Sequence, residues 1–385
     1  MKIGLDTVPL IYSRGADYRT TFNLYQELLQ DRDYDYSMLS ISRDKQSPVD
    51  GMFANHLQSV IHHWRAPFSL FDWGWTYLGW PTIEWMMGDV DLFHATSIYA
   101  PPAKQAKVMI TVRGIVAEVI PEKLPANRVK ALHKVLCKGL DGADYYSAVS
   151  QATADDLEHV MGIDPARIHV IPHGVDPIFR PPVEKELLAA SLKTRFNLQR
   201  PYILFVGAIG IHKNVMGVFH AWLKLHQQAD GNLDLCLVGR PDSAWDQLRQ
   251  QIESHGVSDY VHLMGWVDPH SQDLVDIYGG AECFVLPSYY EGWCSPPVEA
   301  MACGTPAVVS NVSSLPETTG GAALLINPDE VDEIAQGIAR VLYEPPLRER
   351  LTKAGLAHAT AMNWARSAQA ARNAYAAIFK EVADA

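Results

Sequence analysis

Glu291 and Glu299 stand eight residues apart in the stretch SYYEGWCSPPVEAMACG, residues 288–304. Carboxylates on a loop accept hydrogen bonds from sugar hydroxyls, and charged acceptors make the stronger kind. Gly292 lets a ligand approach the backbone closely. Pro296 and Pro297 mark a helix start, where a missing N–H is no loss, and Gly304 marks its stop. The N-terminus of such a helix suits an anion such as a diphosphate. Glu291 is expected on the loop, and Glu299 just inside the helix, within reach of a diol such as that of ribose. An anion site with hydroxyl-binding groups at both ends is what a nucleoside diphosphate sugar requires. Glu299 taken alone has a competing reading, a first-turn glutamate that only complements the helix dipole.

The run ECFVLPS (282–288), just before this stretch, is apolar almost throughout. Such a run is expected of a strand covered on both faces, as in a parallel sheet flanked by helices. Similar runs occupy residues 2–6, 91–96, 107–112, 145–150 and 167–172, and then 202–208, 233–239, 261–266, 306–310 and 322–327. Helix-length amphipathic stretches lie between them, an alternation that predicts a doubly wound α/β architecture. The pattern occurs twice. Residues 173–201, with Pro177, Pro181 and Pro182 close together, separate the halves. Two domains are therefore expected, 1–175 and 176–385, the last helix (about 365–385) packing either on its own domain or back on the first. Ligands of open α/β sheets sit beyond the carboxyl ends of the strands, so the cleft between the domains is the expected site.

Composition narrows the classes. The 385 residues are 48% hydrophobic with a net charge of −12, which argues against a broad nucleic-acid surface. Five cysteines without a C-x-x-C pair read as reduced, buried thiols, not a disulfide or zinc framework. MKIGLD opens directly into a strand-like run, and no apolar run is long enough to span a bilayer, so a cytoplasmic protein is expected.

The stretch from Ser288 to Glu330 resembles the E-x7-E region of the family 4 retaining glycosyltransferases, and PYILFVGAIGIHKN (201–214) resembles the opening strand and phosphate loop of their C-terminal domain. VHLMGWVD (261–268) resembles their base-binding loop, and SAVSQATADDLEHVMGIDPARIHVIPHGVDPIFRP (147–181) the end of their N-terminal domain and linker. The resemblance implies the GT-B fold: two Rossmann-like, doubly wound parallel-sheet domains facing across a cleft, with the acceptor on the first and the nucleotide sugar on the second. It is nearest to a group whose members often use nucleotide-activated mannose. It implies a sugar transfer from GDP-mannose or a UDP-sugar to a glycan or lipid-linked acceptor, with no nucleic acid, no cofactor and no required metal. By the same resemblance Lys213 binds the donor diphosphate and His212 stands where a basic residue is common. Glu291, with the backbone of Gly292, Trp293 and Cys294, faces the sugar or phosphate. Glu299 binds ribose, and Gly265, Trp266 and Val267 read the base.

The N-terminal half departs from the family pattern. VPLIYSRGADYRT after the first run holds only Gly15 where a glycine-rich loop is usual, leaving Arg14 or Arg19 to reach phosphates or an acidic acceptor. TVRG (111–114) puts Arg113 where the family commonly has a histidine. A guanidinium is no general base. It can steady a leaving phosphate or hold an acidic acceptor, or simply pair with an acid such as Glu118. His94, at the end of another strand, is then the remaining histidine expected at the cleft. Two rival functions follow: an epimerase or hydrolase on the same architecture, and a nucleotide-sugar-binding protein with impaired catalysis. Five tryptophans crowd residues 62–87 without a single helical stripe. They read as core, or as an acceptor groove, or as a peripheral contact with the inner face of the membrane.

Overall fold

The structure, a computed structural model, describes residues 1–13, 15–30, 32–53 and 60–384. They form two compact units. The first takes Met1–Val119, Val129–Gly174 and the chain from Trp364 onward; the second takes Ile120–Arg128 and Val175–Asn363. Arg14 lies outside the described residues.

The first unit is a seven-stranded parallel sheet: β1 Lys2–Asp6, β2 Asp35–Ser42, β3 Val60–Arg65, β4 Leu92–Ala95, β5 Lys107–Val112, β6 Tyr145–Ala148 and β7 Ile168–Val170, in the order β3-β2-β1-β4-β5-β6-β7. The second unit's sheet has six: β8 Tyr202–Val206, β9 Asp234–Val238, β10 Val261–Gly265, β11 Cys283–Leu286, β12 Ala307–Ser310 and β13 Leu324–Ile326, in the order β10-β9-β8-β11-β12-β13. Both are Rossmann-like. The winding reverses between β1 and β4 and between β8 and β11, and each reversal opens a crevice at the strand ends. The central strands are buried on both faces, as their unbroken apolar runs require.

Every expected strand is present. β2 and β3 were not anticipated. β2 carries Ser37, Ser40 and Ser42 within DYSMLSIS, and β3 is the half-polar edge strand VIHHWR. Their polar groups are satisfied locally: the Ser40 hydroxyl lies 3.1 Å from His63 Nδ1 and accepts from Ser47 at 2.6 Å.

The final helix, Trp364–Asp384, packs against the helix Ala16–Leu28 and belongs to the first unit's core. Ala368, Ala371, Tyr375 and Ile378 are fully buried with Ile3, Leu5 and Tyr25. Its small alanines let the two helices approach closely. Four of the five cysteines are buried, and burial pushes the Cys283 and Cys303 thiols up to about 12.

His94 differs from its expected place. Its ring lies inside the first unit, 1% exposed, with Nδ1 2.7 Å from the Tyr375 hydroxyl and Nε2 3.0 Å from Thr111 Oγ1. It lies within β4 and points into a core that the final helix covers, so it fastens that helix to the sheet. Burial, helped by the Arg113 charge, lowers its pKa to about 3. The unfolded chain takes up this proton near pH 6.5. Stability from a neutral buried His94 is therefore complete above about pH 6.5 and is lost as pH falls toward 3, by about 1.4 kcal/mol per pH unit. We expect His94→Gln to reduce the acid-side slope of unfolding free energy against pH by about one proton. An unchanged slope in denaturant titrations between pH 4 and 6, a window below the ordinary histidine pKa, would refute this.

Candidate active site

In the second unit, the chain leaving β8 passes Gly207–Gly210 and a single turn, Ile211–Lys213, into the helix Val215–Gln228. Asn214 caps that helix from a left-handed backbone (φ 54°): its Oδ1 accepts from Gly217 N, and its Nδ2 donates to the Pro328 carbonyl at 2.7 Å. This lock aims Lys213 across the crevice toward the loop that follows β11. Lys213 Nζ donates to both Glu291 oxygens, at 2.5 and 2.7 Å, in a largely buried pair. Two residues expected in separate roles thus form one ion pair at the reversal point of the sheet. The Glu291 loop is itself held. Glu291 N donates to Ser313 Oγ at 2.9 Å, the Ser313 hydroxyl donates back to the Glu291 carbonyl, and Tyr289 N donates to the His212 carbonyl at 2.9 Å. Ser313 does this from φ 57°, a backbone conformation unusual for serine. Nothing in its residue type announces that task. His212 is half-buried, and burial followed by the Lys213 charge lowers its pKa to about 4. It is neutral near pH 7 and so differs from a second fixed cation.

Glu299 lies in the helix Ser295–Ala302, 3% exposed, and its Oε2 accepts from the Tyr278 hydroxyl at 2.9 Å. It is more than a surface charge beside a helix end. The helix N-terminus is thinner in donors than expected. Cys294 is its N-cap, and prolines at 296 and 297 remove two of its four leading N–H groups, leaving those of Cys294 and Ser295. Gly292 and Cys294 are buried beside Glu291, and Trp293 packs on the core.

The ends of β8, β9 and β10 approach one another closely. Gly207 N donates to the Val238 carbonyl, and Gly239 N donates to the Gly265 carbonyl at 2.8 Å. Gly265 turns the chain at φ 66°, with open space around it. Trp266 follows and is 48% exposed, which excludes a core role; the Arg240 guanidinium lies 5.3 Å from its ring centre. Val267 packs against the core. Among the described residues, no group of three or more His, Cys, Asp and Glu is arranged to hold a metal ion.

In the first unit, the crevice between β1 and β4 opens into a cavity of about 270 Å³. Ser13, Asp17, Ser97 and Arg113 are among its polar lining, and Ile98, Ile115, Leu132 and Val135 among its apolar lining. Arg113 follows β5. It donates to Thr20 Oγ1 at 2.6 Å and to the Thr96 carbonyl at 3.1 Å, and its Nε lies 3.5 Å from Asp17. Glu118, the partner considered for it, instead meets His133 at 2.9 Å. Arg19 is buried, 6% exposed, so it is no ordinary surface arginine. Asp6, at the end of β1, organises this crevice. It is fully buried and accepts from Thr96 N and Oγ1, both at 2.9 Å, from Tyr99 at 2.7 Å and from Tyr25. Burial raises its pKa while these donors oppose the rise. As one aspartate at a strand end, it gave no sign of this in the sequence.

Comparison with known proteins agrees with this geometry. The family model described as Glycosyltransferase Family 4 matches residues 19–179, and the one described as Glycosyl transferases group 1 matches residues 190–358. The O-antigen chain mannosyltransferase B of Escherichia coli is 31% identical over 284 residues, 74% of either chain. Among solved structures, sucrose-phosphate synthase from Thermosynechococcus elongatus matches with a TM-score of 0.72 at 20% identity, over 99% of this chain and 100% of that one. HepE of Anabaena, in complex with UDP and glucose, matches with a TM-score of 0.67 at 15% identity, over 97% and 99%. The chain belongs to the family 4 glycosyltransferases and has their GT-B fold of two Rossmann-like units.

Proposed function

We propose that the chain transfers a hexose, mannose first among candidates, from a nucleoside diphosphate sugar to a hydroxyl of a glycan or lipid-linked glycan, with retention at the anomeric carbon. The observation that carries this is the Lys213–Glu291 pair at the strand reversal of the second unit. A diphosphate arriving there takes over the lysine and releases Glu291 toward the sugar hydroxyls. Glu299 takes the ribose diol, and the backbone at Gly265–Val267 meets the base. The mannose preference draws on the similarity to a mannosyltransferase. A UDP-sugar is the second donor to try, since HepE was solved with UDP and glucose.

When the bond from the anomeric carbon to the diphosphate breaks, charge gathers on the departing oxygens. Lys213 meets it with an ammonium already in place, where such stabilisation is worth most. No metal is invoked in this scheme. The acceptor oxygen bonds the anomeric carbon on the face the diphosphate leaves, and its proton passes to the departing phosphate oxygen. No protein base is then needed, which suits an arginine at position 113. The cavity of the first unit, lined by both polar and apolar side chains, fits an acceptor that joins a hydroxyl and an anionic group to an apolar portion. Such an acceptor would be met at the inner face of a membrane.

The test is product analysis with labelled GDP-mannose and UDP-glucose, with and without glycan acceptors, followed by the anomeric coupling of the product. A donor altered without acceptor assigns an epimerase or hydrolase. Nucleotide binding without turnover assigns a binding protein, and an inverted product overturns the mechanism.

Arg113 provides a separate check. If its permanent charge holds an anionic part of the acceptor, Arg113→Met raises KM for acceptor by about tenfold or more, the scale of one lost charged hydrogen bond, and Arg113→Lys restores part of it. Arg113→His works best at acid pH, because the crevice disfavours a charged ring and histidine must be protonated to serve. A flat pH profile at normal rate for the histidine variant would remove charge from the account.

A further inference from the structure

The chain on either side of residues 120–128 builds the first unit, whereas these residues belong to the second. Two side chains of this excursion fix it there. Lys123 Nζ lies 3.8 Å from the centre of the Tyr289 ring, and Arg128 Nη1 donates to both Asp242 oxygens, at 2.8 and 3.1 Å. Both contacts fall beside the turn that carries Lys213. Tyr289 N donates to the His212 carbonyl, and Ser243, next to Asp242, accepts from Ile211 N at 3.1 Å. A Cβ placed on Gly210 would lie 3.0 Å from the His212 ring and 3.3 Å from Asp242 Oδ2. Glycine, imidazole and carboxylate therefore share one corner, and Arg128 stands one contact beyond it.

Arg128 is poorly placed for its own helix. It lies in the first turn of Ala126–Asp141, where the helix dipole disfavours a cation. Its bonding capacity is also half spent. Both bonds to Asp242 use Nη1, and among the described residues Nε and Nη2 have no hydrogen-bond partner. The side chain is 43% exposed, so a ligand can reach it. Charge balance gives it a task. Each phosphate of a sugar-linked diphosphate is an anion, and Lys213 is set to meet the pair. Glu291 already balances Lys213, and His212 is uncharged at neutral pH. The helix at Ser295 has lost two of its leading donors to proline. Nearby, Lys123 and Arg240 lie over the rings of Tyr289 and Trp266. Of the neighbouring acids, Asp242 is balanced by Arg128, Glu122 is exposed, and the charge of Asp329 reaches Tyr289.

We propose that Arg128 is the second cation of the donor diphosphate, held on Asp242 until the ligand arrives and then passing to a phosphate. This rests on the reading of a nucleoside diphosphate sugar as donor. A guanidinium suits the exchange, because its fork of N–H groups matches phosphate oxygens two at a time. Lys213 with Glu291 and Arg128 with Asp242 are then alike: in each, a carboxylate keeps a cation in place and gives it up to the same ligand. Asp242 is thus a competitor of the diphosphate. That sets the role apart from a contact that only fastens the excursion, for which arginine and aspartate matter equally.

The full chain is titrated with GDP and with UDP in a calorimeter. Arg128→Met is expected to weaken binding of whichever nucleotide the parent takes by about tenfold or more, the scale of one lost charged hydrogen bond. Arg128→Lys should restore part of it. Asp242→Asn is expected to act in the opposite direction, strengthening binding by about threefold, the worth of one exposed ion pair that the ligand no longer has to break. The asparagine keeps an oxygen to accept from Ser243 N, as Asp242 Oδ1 does at 2.7 Å. If the contact only fastens the excursion, either substitution breaks the same ion pair, so both weaken binding alike and lower the melting temperature alike. Unchanged binding in Arg128→Met, or unchanged or weakened binding in Asp242→Asn, overturns the proposal and leaves the donor reading standing. A parent that binds neither nucleotide overturns both.

Discussion

Lys213→Ala is expected to lower turnover by about two to three orders of magnitude, the scale of removing one preorganised group that meets developing negative charge. The same change unbalances the folded state. Glu291 is 8% exposed and would keep its charge with no cation beside it, at a cost of about 3 kcal/mol or more. Loss of activity and loss of fold must therefore be separated. Lys213→Met combined with Glu291→Gln removes both charges and should regain most of the stability without regaining turnover. A double variant as active as the parent would end the assignment of Lys213 to the diphosphate. The pH dependence has a definite sign. Burial acts to lower the Lys213 pKa, but Glu291 outweighs it and the net shift is upward. The lysine's part in that stability is thus intact from neutral pH up to about pH 10.4, the ordinary lysine value, and is lost only as pH rises through the higher folded value. Activity lost near neutral pH must come from another group.

Gly239→Ala should be nearly as damaging, by a different route. A Cβ at Gly239 would lie 1.8 Å from the Gly207 carbonyl oxygen and 2.6 Å from its carbon. Both are backbone atoms fixed by the β8–β9 pairing, so neither can turn aside, and the backbone of Gly239 (φ 157°) also suits glycine. We expect about 3 kcal/mol or more of destabilisation, in the range of severe strain and overpacking, together with a disturbed loop at Gly207–Gly210. Gly265→Ala is the control. It shares a left-handed backbone (φ 66°) but meets nothing within 4 Å, so about 1 kcal/mol is expected. Equal midpoints for the two variants in urea would show that the close approach at Gly207 is not rigid.

The sequence was most readable where burial is two-sided. Runs such as ECFVLPS and KVMITV have no exposed face to carry polar residues, so pattern alone reveals them. β2 and β3 escaped because serines and histidines that bond one another look in sequence like a polar loop. Lys213 and Glu291 could be singled out because each lies in the connection leaving a strand, β8 or β11, and Glu299 because it lies in the helix that follows. The pairing of the first two could not, since it joins residues 78 apart. His94 and Arg113 both read in sequence as strand-end residues and were expected at the same place, whereas His94 lies within β4, level with Met109, and Arg113 follows β5. What divides them is the final helix, whose Tyr375 covers the histidine, and no local window of residues near 94 contains that fact. Ser313 and Asp6 act through backbone geometry and burial, which residue type alone does not encode.

That final helix has a consequence for how the chain is made. The bond between His94 and Tyr375 spans 281 residues of sequence. A ribosome that has released β1–β7 has not yet made the helix that closes their core, and residues 175–363 must come first. At roughly 5–20 residues per second, the first unit waits on the order of ten seconds or longer with Ile3, Leu5 and Tyr25 incompletely covered. The second unit, made later, has all its strands first. Order of synthesis and order of completion are thereby reversed. The earlier half of the nascent protein is the one that needs shelter from aggregation, and a stop codon shortly before Trp364 would expose its core while leaving the second unit intact.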